Sequence, residues 1–173
     1  GTNGAFIAAN SAVEIGSPGT VGRLSITEVA PWSSGSSPVA ADWFEVTNNT
    51  AFAINITGWK VDDSSGSPAA AVALNGITSI AAGESVIFVE TANLPAARTA
   101  FLNNWFGGTP PAGLQIGGYT GAGIGLGSGG DAVHLYDANS VLKASLTFGA
   151  SPDGPYATFD NTAGQNAVTI SQL

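Results

Sequence analysis

The sequence predicts an all-β chain, an antiparallel β-sandwich with one short helix inserted over residues 93–106. Three observations predict it. Apolar residues alternate with polar ones in about eight to ten short runs spaced by about ten residues, the period of half-buried strands. Gly 24 and Pro 9 in 173 residues punctuate those runs with turns. Only one segment carries apolar residues at helical spacing. A length of 173 residues suits one domain, and 44% hydrophobic residues can fill its core.

The elements follow in order. Residues 1–20 are rich in Gly, Ala and Ser, with a turn at Ser17-Pro18-Gly19, and read as a linker or an extra strand. RLSITEVA alternates, with Leu24 and Ile26 on one face. PWSSGSSPVAAD is a loop, and WFEVTN is a second strand ended by Asn48-Asn49. AINITGWKVDD puts Ile54 and Ile56 on one face and Gly58 at a turn or bulge. AAAVALNG reads as a strand on its Val/Leu alternation. AAGESVIFVE turns at Ala82-Gly83, then sends Val86, Phe88 and Glu90 to one face and Ile87 and Val89 to the other.

The helix has explicit end signals. Asn93 can cap it, Pro95 falls in the first turn where its missing N–H costs nothing, and Gly107-Gly108 with Pro110-Pro111 stop it. Leu94, Ala97, Phe101 and Trp105 form its apolar stripe, with Trp105 expected to pin it to the sheet. The Gly-rich stretch after it reads as loop with a short strand near residues 114–116. DAVHLYDANSVLKASLTFG reads as a hairpin. Val133 and Leu135 point inward, His134 and Tyr136 outward, and Leu142, Ala144, Leu146 and Phe148 share one face. SPDGPY is a turn, and AVTISQL closes the chain with Val168 and Ile170 in alternation.

Five segments in order, LSITEVAP, DWFEVTNNT, INITGWKVDD, IAAGESVIFVE and GLGSGGDAVHLYDANSVLKASLTFG, resemble the lamin tail domain family over about residues 21–149. The resemblance implies an immunoglobulin-like sandwich. It divides the chain into a leader (1–20), the sandwich (21–150) and a C-terminal extension (151–173) packing on it. The segment 93–106 and the Gly-rich run after it depart from the compact family pattern as an insertion. The resemblance also implies an interaction module without catalytic residues, of the bacterial exported kind, often found beside hydrolase domains such as nucleases and phosphoesterases.

Composition narrows the function independently. Lys+Arg 4 against Asp+Glu 12 gives a net charge of −8. Arg23, Lys60, Arg98 and Lys143 are too few and too scattered to neutralise nucleic-acid phosphates or meet an anionic membrane. No run of about 18 apolar residues occurs, so no membrane-inserting helix is expected. Cys 0 removes disulfides, thiolate nucleophiles and Zn–Cys sites, and the Ser/Thr/Asn-rich surface suggests an extracellular or cell-surface location. With Met 0 the chain does not begin at an initiator, so it is expected to be a mature form or a processed piece.

The chemistry-bearing residues are few. His134 is the only histidine and is expected to be an exposed strand residue rather than a general base. No GxSxG, HExxH or P-loop pattern occurs, and GIGLGSGG lacks the Lys-Ser/Thr and following helix of a phosphate loop. Glu28, Asp42 and Glu45 lie at the ends of the first two strands, and Asp62-Asp63 follow the third. Gathered at one end of a sandwich, Glu28, Asp42 and Glu45 would form an oxygen site suited to Ca²⁺.

Trp43 and Trp59 are expected in the core. Trp32, Tyr119 and Tyr156 lie in loop-like sequence and are the candidate contact aromatics. Asn48-Asn49-Thr50 and Asn55-Ile56-Thr57 are glycosylation sequons with meaning only in a eukaryotic secretory host.

The expected function is therefore a non-catalytic accessory or interaction module, a monomer or weak homo-oligomer. It would meet a protein or polysaccharide at the cell surface and need no cofactor. The rival expectations are a Ca²⁺-dependent binding or adhesion module and a metal-assisted hydrolase.

Overall fold

The computed structural model describes residues 23–32, 39–151, 157–161 and 169–172. In chain order the strands are β1 (Leu24–Ala30), β2 (Trp43–Asn48), β3 (Ile54–Asn55), β4 (Lys60–Asp62), β5 (Val72–Ala73), β6 (Ser79–Ile80) and β7 (Ser85–Glu90). Helix α1 (Leu94–Phe106) follows, then β8 (Gln115–Tyr119), β9 (Asp131–Tyr136), β10 (Leu142–Phe148), β11 (Ala157–Asp160) and β12 (Thr169–Gln172). They form a six-stranded sheet in the order β12-β11-β1-β2-β7-β8, a four-stranded sheet β10-β9-β4-β5 and a small β3-β6 ribbon. The fold is an immunoglobulin-like sandwich with one short helix.

Alternation divides the side chains between two cores. Val86 and Phe88 of β7, with Ile26 and Val29 of β1 and Phe44 and Val46 of β2, face the second sheet. There they meet Trp59, Val61, Val133, Leu135, Leu146 and Phe148. Ile87 and Val89 point the other way, as the two-residue period requires, and with Ala30, Trp43 and Ile116 form a smaller core beneath α1. A register shift between Ile26 and Glu28 keeps both Ile26 and Val29 buried inward despite their odd spacing.

The helix is built as its sequence specifies. Asn93 accepts from the Ala96 N–H at 3.2 Å, and Gly107 ends it in the left-handed conformation at φ 57°. Trp43 receives two edge-on rings from it, Phe101 at 5.3 Å and Trp105 at 5.2 Å.

Four expectations are corrected. The sandwich is not wholly antiparallel: β7 and β8 pair in parallel, because α1 carries the chain back to the starting end of the sheet. Only Val72–Ala73 of AAAVALNG is paired as a strand. Tyr136 is buried rather than outward. Leu142 is exposed, because a register shift between Leu142 and Ala144 breaks the alternation that would bury it. The expected turns at Ser17-Pro18-Gly19 and within SPDGPY, and Val168, lie outside the described residues.

Candidate functional site

The carboxylates fall into two separate groups rather than one. Glu28 and Glu45 face each other across β1 and β2, and Asp160 of β11 lies opposite Glu28 on its other side. They sit on the outer face of the six-stranded sheet, among hydroxyls. Thr158 Oγ1 donates to Glu28 Oε1 and Thr27 Oγ1 to Glu45 Oε1, each at 2.5 Å. Thr27, Thr47 and Ser85 continue the hydroxyl chain at 2.9 and 2.6 Å. Burial pushes Glu28 up to about 7, with the Glu45 and Asp160 charges adding to it and the Thr158 hydrogen bond opposing. Glu45 is raised in the same way, first by burial and then by Asp160.

Asp42 belongs to the opposite face of β2 and does not join that pair. It accepts from the Trp32 N–H, and from the Leu126 N–H at 2.7 Å. Its carboxyl also hydrogen-bonds the carboxyl of Glu90, while the Glu90 N–H donates to the Asp42 carbonyl at 2.8 Å. Burial raises both acids, and a bond between two carboxyl groups needs a proton on one of them. Among the described residues, no group of three or more His, Cys, Asp or Glu side chains is placed to hold a metal ion.

The Gly-rich loop does cradle anions, but they are the chain's own. Leu126 N–H goes to Asp42, and Gly127 N–H to Asp131 Oδ2 at 2.6 Å. Asp131 also accepts from the Ser64 N–H at 2.9 Å, tying this loop to the turn after β4. Burial opposes ionisation of Asp131, but its backbone hydrogen bonds outweigh it and hold the carboxyl below the usual range.

His134 is half-buried on β9. Its Nδ1 lies 2.8 Å from the Asp63 carbonyl oxygen, and its ring stacks on Tyr136 at 6.5 Å. One ring nitrogen is thereby committed to the backbone, and that contact fixes the orientation of the ring.

The aromatics separate sharply. Trp43 and Trp59 are buried. Tyr119, expected as a loop contact, is 1% exposed at the end of β8 against Phe44, its ring 5.5 Å away. Trp32 is 43% exposed and Phe52 is 72% exposed. Tyr156 lies outside the described residues. Phe52 was missed by the sequence reading. Its signal was an aromatic with polar residues and Ala on either side in the turn Asn49-Thr50-Ala51-Phe52-Ala53, where no strand face exists to bury it.

That turn is itself rigid. Asn48, 0% exposed, donates from Nδ2 to the carbonyls of Phe52, Ile80 and Ala81 at 2.7, 3.0 and 2.9 Å. Its Oδ1 accepts from Thr50 N–H and Oγ1. The first sequon is thus a buried corner, whereas Asn55 is exposed.

Comparison with protein families matches residues 17–150 to the lamin tail domain. No curated protein matches the chain significantly.

Proposed function

Starting from the lamin tail domain family, to which the chain belongs, we propose that it is a non-catalytic interaction module of an exported or cell-surface bacterial protein. We place it beside a hydrolase such as a nuclease or phosphoesterase. Its partner is a protein or polysaccharide at the cell surface, met through loop aromatics. The observation that carries this reading is the exposure of Trp32, whose own N–H is held by Asp42, and of Phe52, whose carbonyl is held by Asn48. A rigid, exposed aromatic loses little entropy on contact and suits either a sugar face or an apolar partner pocket. The sparse charge supports an exported setting.

The test is binding of the chain to isolated cell-envelope polysaccharide and to the envelope proteins separately. Wild type is compared with a Trp32→Ala/Phe52→Ala double variant. About a tenfold loss of affinity is expected at unchanged melting temperature. Equal binding by the double variant would remove these loops from the site.

A Ca²⁺-dependent module is the second reading, favoured by the facing pair Glu28 and Glu45. A rise in melting temperature with CaCl₂, reversed by EDTA, supports it. An unchanged melting temperature counts against it.

A further inference from the structure

We propose that the cleft between α1 and β8 binds a carboxylate carried on a short branched aliphatic stem, with Arg98 as its anchor. The cleft is an open groove of about 300 Å³, lined by Gly76, Arg98, Leu102, Leu114, Gln115 and Ile116. That is the lower end of the range for small-molecule sites.

Arg98 is fixed before any ligand arrives. Its Nε–H donates to the Ile116 carbonyl at 2.6 Å and its Nη2–H to the Gly76 carbonyl at 3.3 Å. A guanidinium has five N–H donors, so three remain. Both acceptors are neutral carbonyls, and among the described residues no carboxylate pairs with Arg98. Lys143, by contrast, is neutralised by Asp137 at 2.9 Å. Glu84, held by the lining residue Gln115 through Nε2 at 2.8 Å, also accepts from the Ala81 N–H at 2.6 Å.

The turn makes room for this arrangement. Gly76 has φ +86°, and a Cβ there would come within 2.9 Å of Arg98 Nη2 and 2.5 Å of Leu94 Cδ2. A half-buried guanidinium in a chain of net charge −8, held open without a counter-charge, is a receptor for one. The walls decide what carries the charge. Leu102, Leu114 and Ile116 are aliphatic, and Gln115 Nε2 is occupied by Ser79 and Glu84 oxygens. The cleft thus offers one charged contact and an apolar wall, which matches a carboxylate on a Leu-like stem. It lies on elements other than those bearing Trp32 and Phe52, so it stands independently of the loop reading.

The test is a ¹⁵N NMR titration of the whole chain with sodium 4-methylpentanoate. 4-Methylpentanamide serves as the uncharged control, and acetyl-Gly-Gly-Leu with a free carboxylate as the peptide form. The Arg98 Nε–H and the Leu102 and Ile116 amides are expected to shift and saturate, with a dissociation constant on the order of a millimolar for so small a ligand. The amide, Arg98→Gln and the cleft-filling Leu114→Phe should each weaken binding about tenfold or more. A peptide that binds more tightly than the free acid identifies a partner's C-terminus as the source. The reverse identifies a free aliphatic acid.

No saturating shift with either acid, or equal shifts with the amide, overturns the proposal. So does binding that survives in a folded Arg98→Gln variant. Should Arg98→Gln fail to fold, the amide control and Leu114→Phe decide alone.

Discussion

Neutralising Glu28 should remove a large part of the stability that the wild type loses as pH rises from about 5 to about 8. Glu28 stands at about 7 in the folded chain against an ordinary 4.5, chiefly because burial disfavours its charge. A carboxyl raised in this way binds more protons folded than unfolded. Its contribution is fully present below about pH 4.5 and is lost as pH rises through about 7. The difference of about 2.5 pH units corresponds to roughly 3 kcal/mol. For a chain of this length each kcal/mol moves the melting temperature by about 2–4 °C, so wild type should melt about 6–12 °C lower at pH 8 than at pH 5.

Glu45, Asp42 and Glu90, also raised by burial, act in the same direction and are common to wild type and a Glu28 variant. Asp131 and Asp137, held low, act in the opposite direction but only below their ordinary value of 3.8, outside the window. The assay is calorimetric unfolding of wild type and Glu28→Gln from pH 4.5 to 8.5 at fixed ionic strength. General repulsion in an acidic chain lowers both curves alike, so the difference between them isolates Glu28. Parallel curves, or a wild type more stable at pH 8 than at pH 5, would refute the reasoning. Repeating the pH 8 point with CaCl₂ separates the readings further. A bound cation would favour the ionised pair and restore most of the lost stability.

Two further expectations concern the scaffold. Asn48→Ala should cost about 3 kcal/mol in urea unfolding, because it leaves three buried or half-buried carbonyls without their donor. Asn48→Asp should cost no less, since it keeps the acceptor and loses the donors. Phe101→Ala should cost about 3–4 kcal/mol by the same measurement, since it empties the centre of the core beneath α1. Its Trp43 fluorescence should shift to the red as water reaches the ring.

Where the fold was legible, local chemistry and burial agreed. In β7 the alternation of Val86 and Phe88 with Ile87 and Val89 marks a strand buried on both faces, and both cores are found. Asn93, Pro95 and Gly107 bracket α1 because caps and stops act within a few residues. β8 was harder to read. The sequence shows only a short strand near residues 114–116, because two glycines interrupt the alternation over Gly117-Gly118. A Cβ on Gly117 would strike the Asn75 carbonyl at 2.6 Å and the Phe88 ring at 2.7 Å, so those glycines mark close packing rather than freedom. Tyr119 was misplaced for the same reason. Leu142 was misplaced because a bulge shifts register without any sequence signature of its own.

The same limit governs the functional groups. Asp42 and Glu90 meet because β2 and β7 are neighbours in the sheet, which no spacing along the chain reveals. Arg98 looks like one exposed position on a helix until β8 is placed in parallel beside β7. That pairing needs a crossover, and the crossover is α1. The helix therefore does two things at once. Its apolar stripe covers Trp43, Ile87, Val89 and Ile116, which would otherwise leave a large apolar patch on the sheet's outer face. Its second turn brings a guanidinium to the carbonyls at the edge of that sheet. A helix needed only for cover could end in any side chain that packs. A cation lining a cleft is an additional feature of the helix, and it rests on the same crossover that places β8 beside β7.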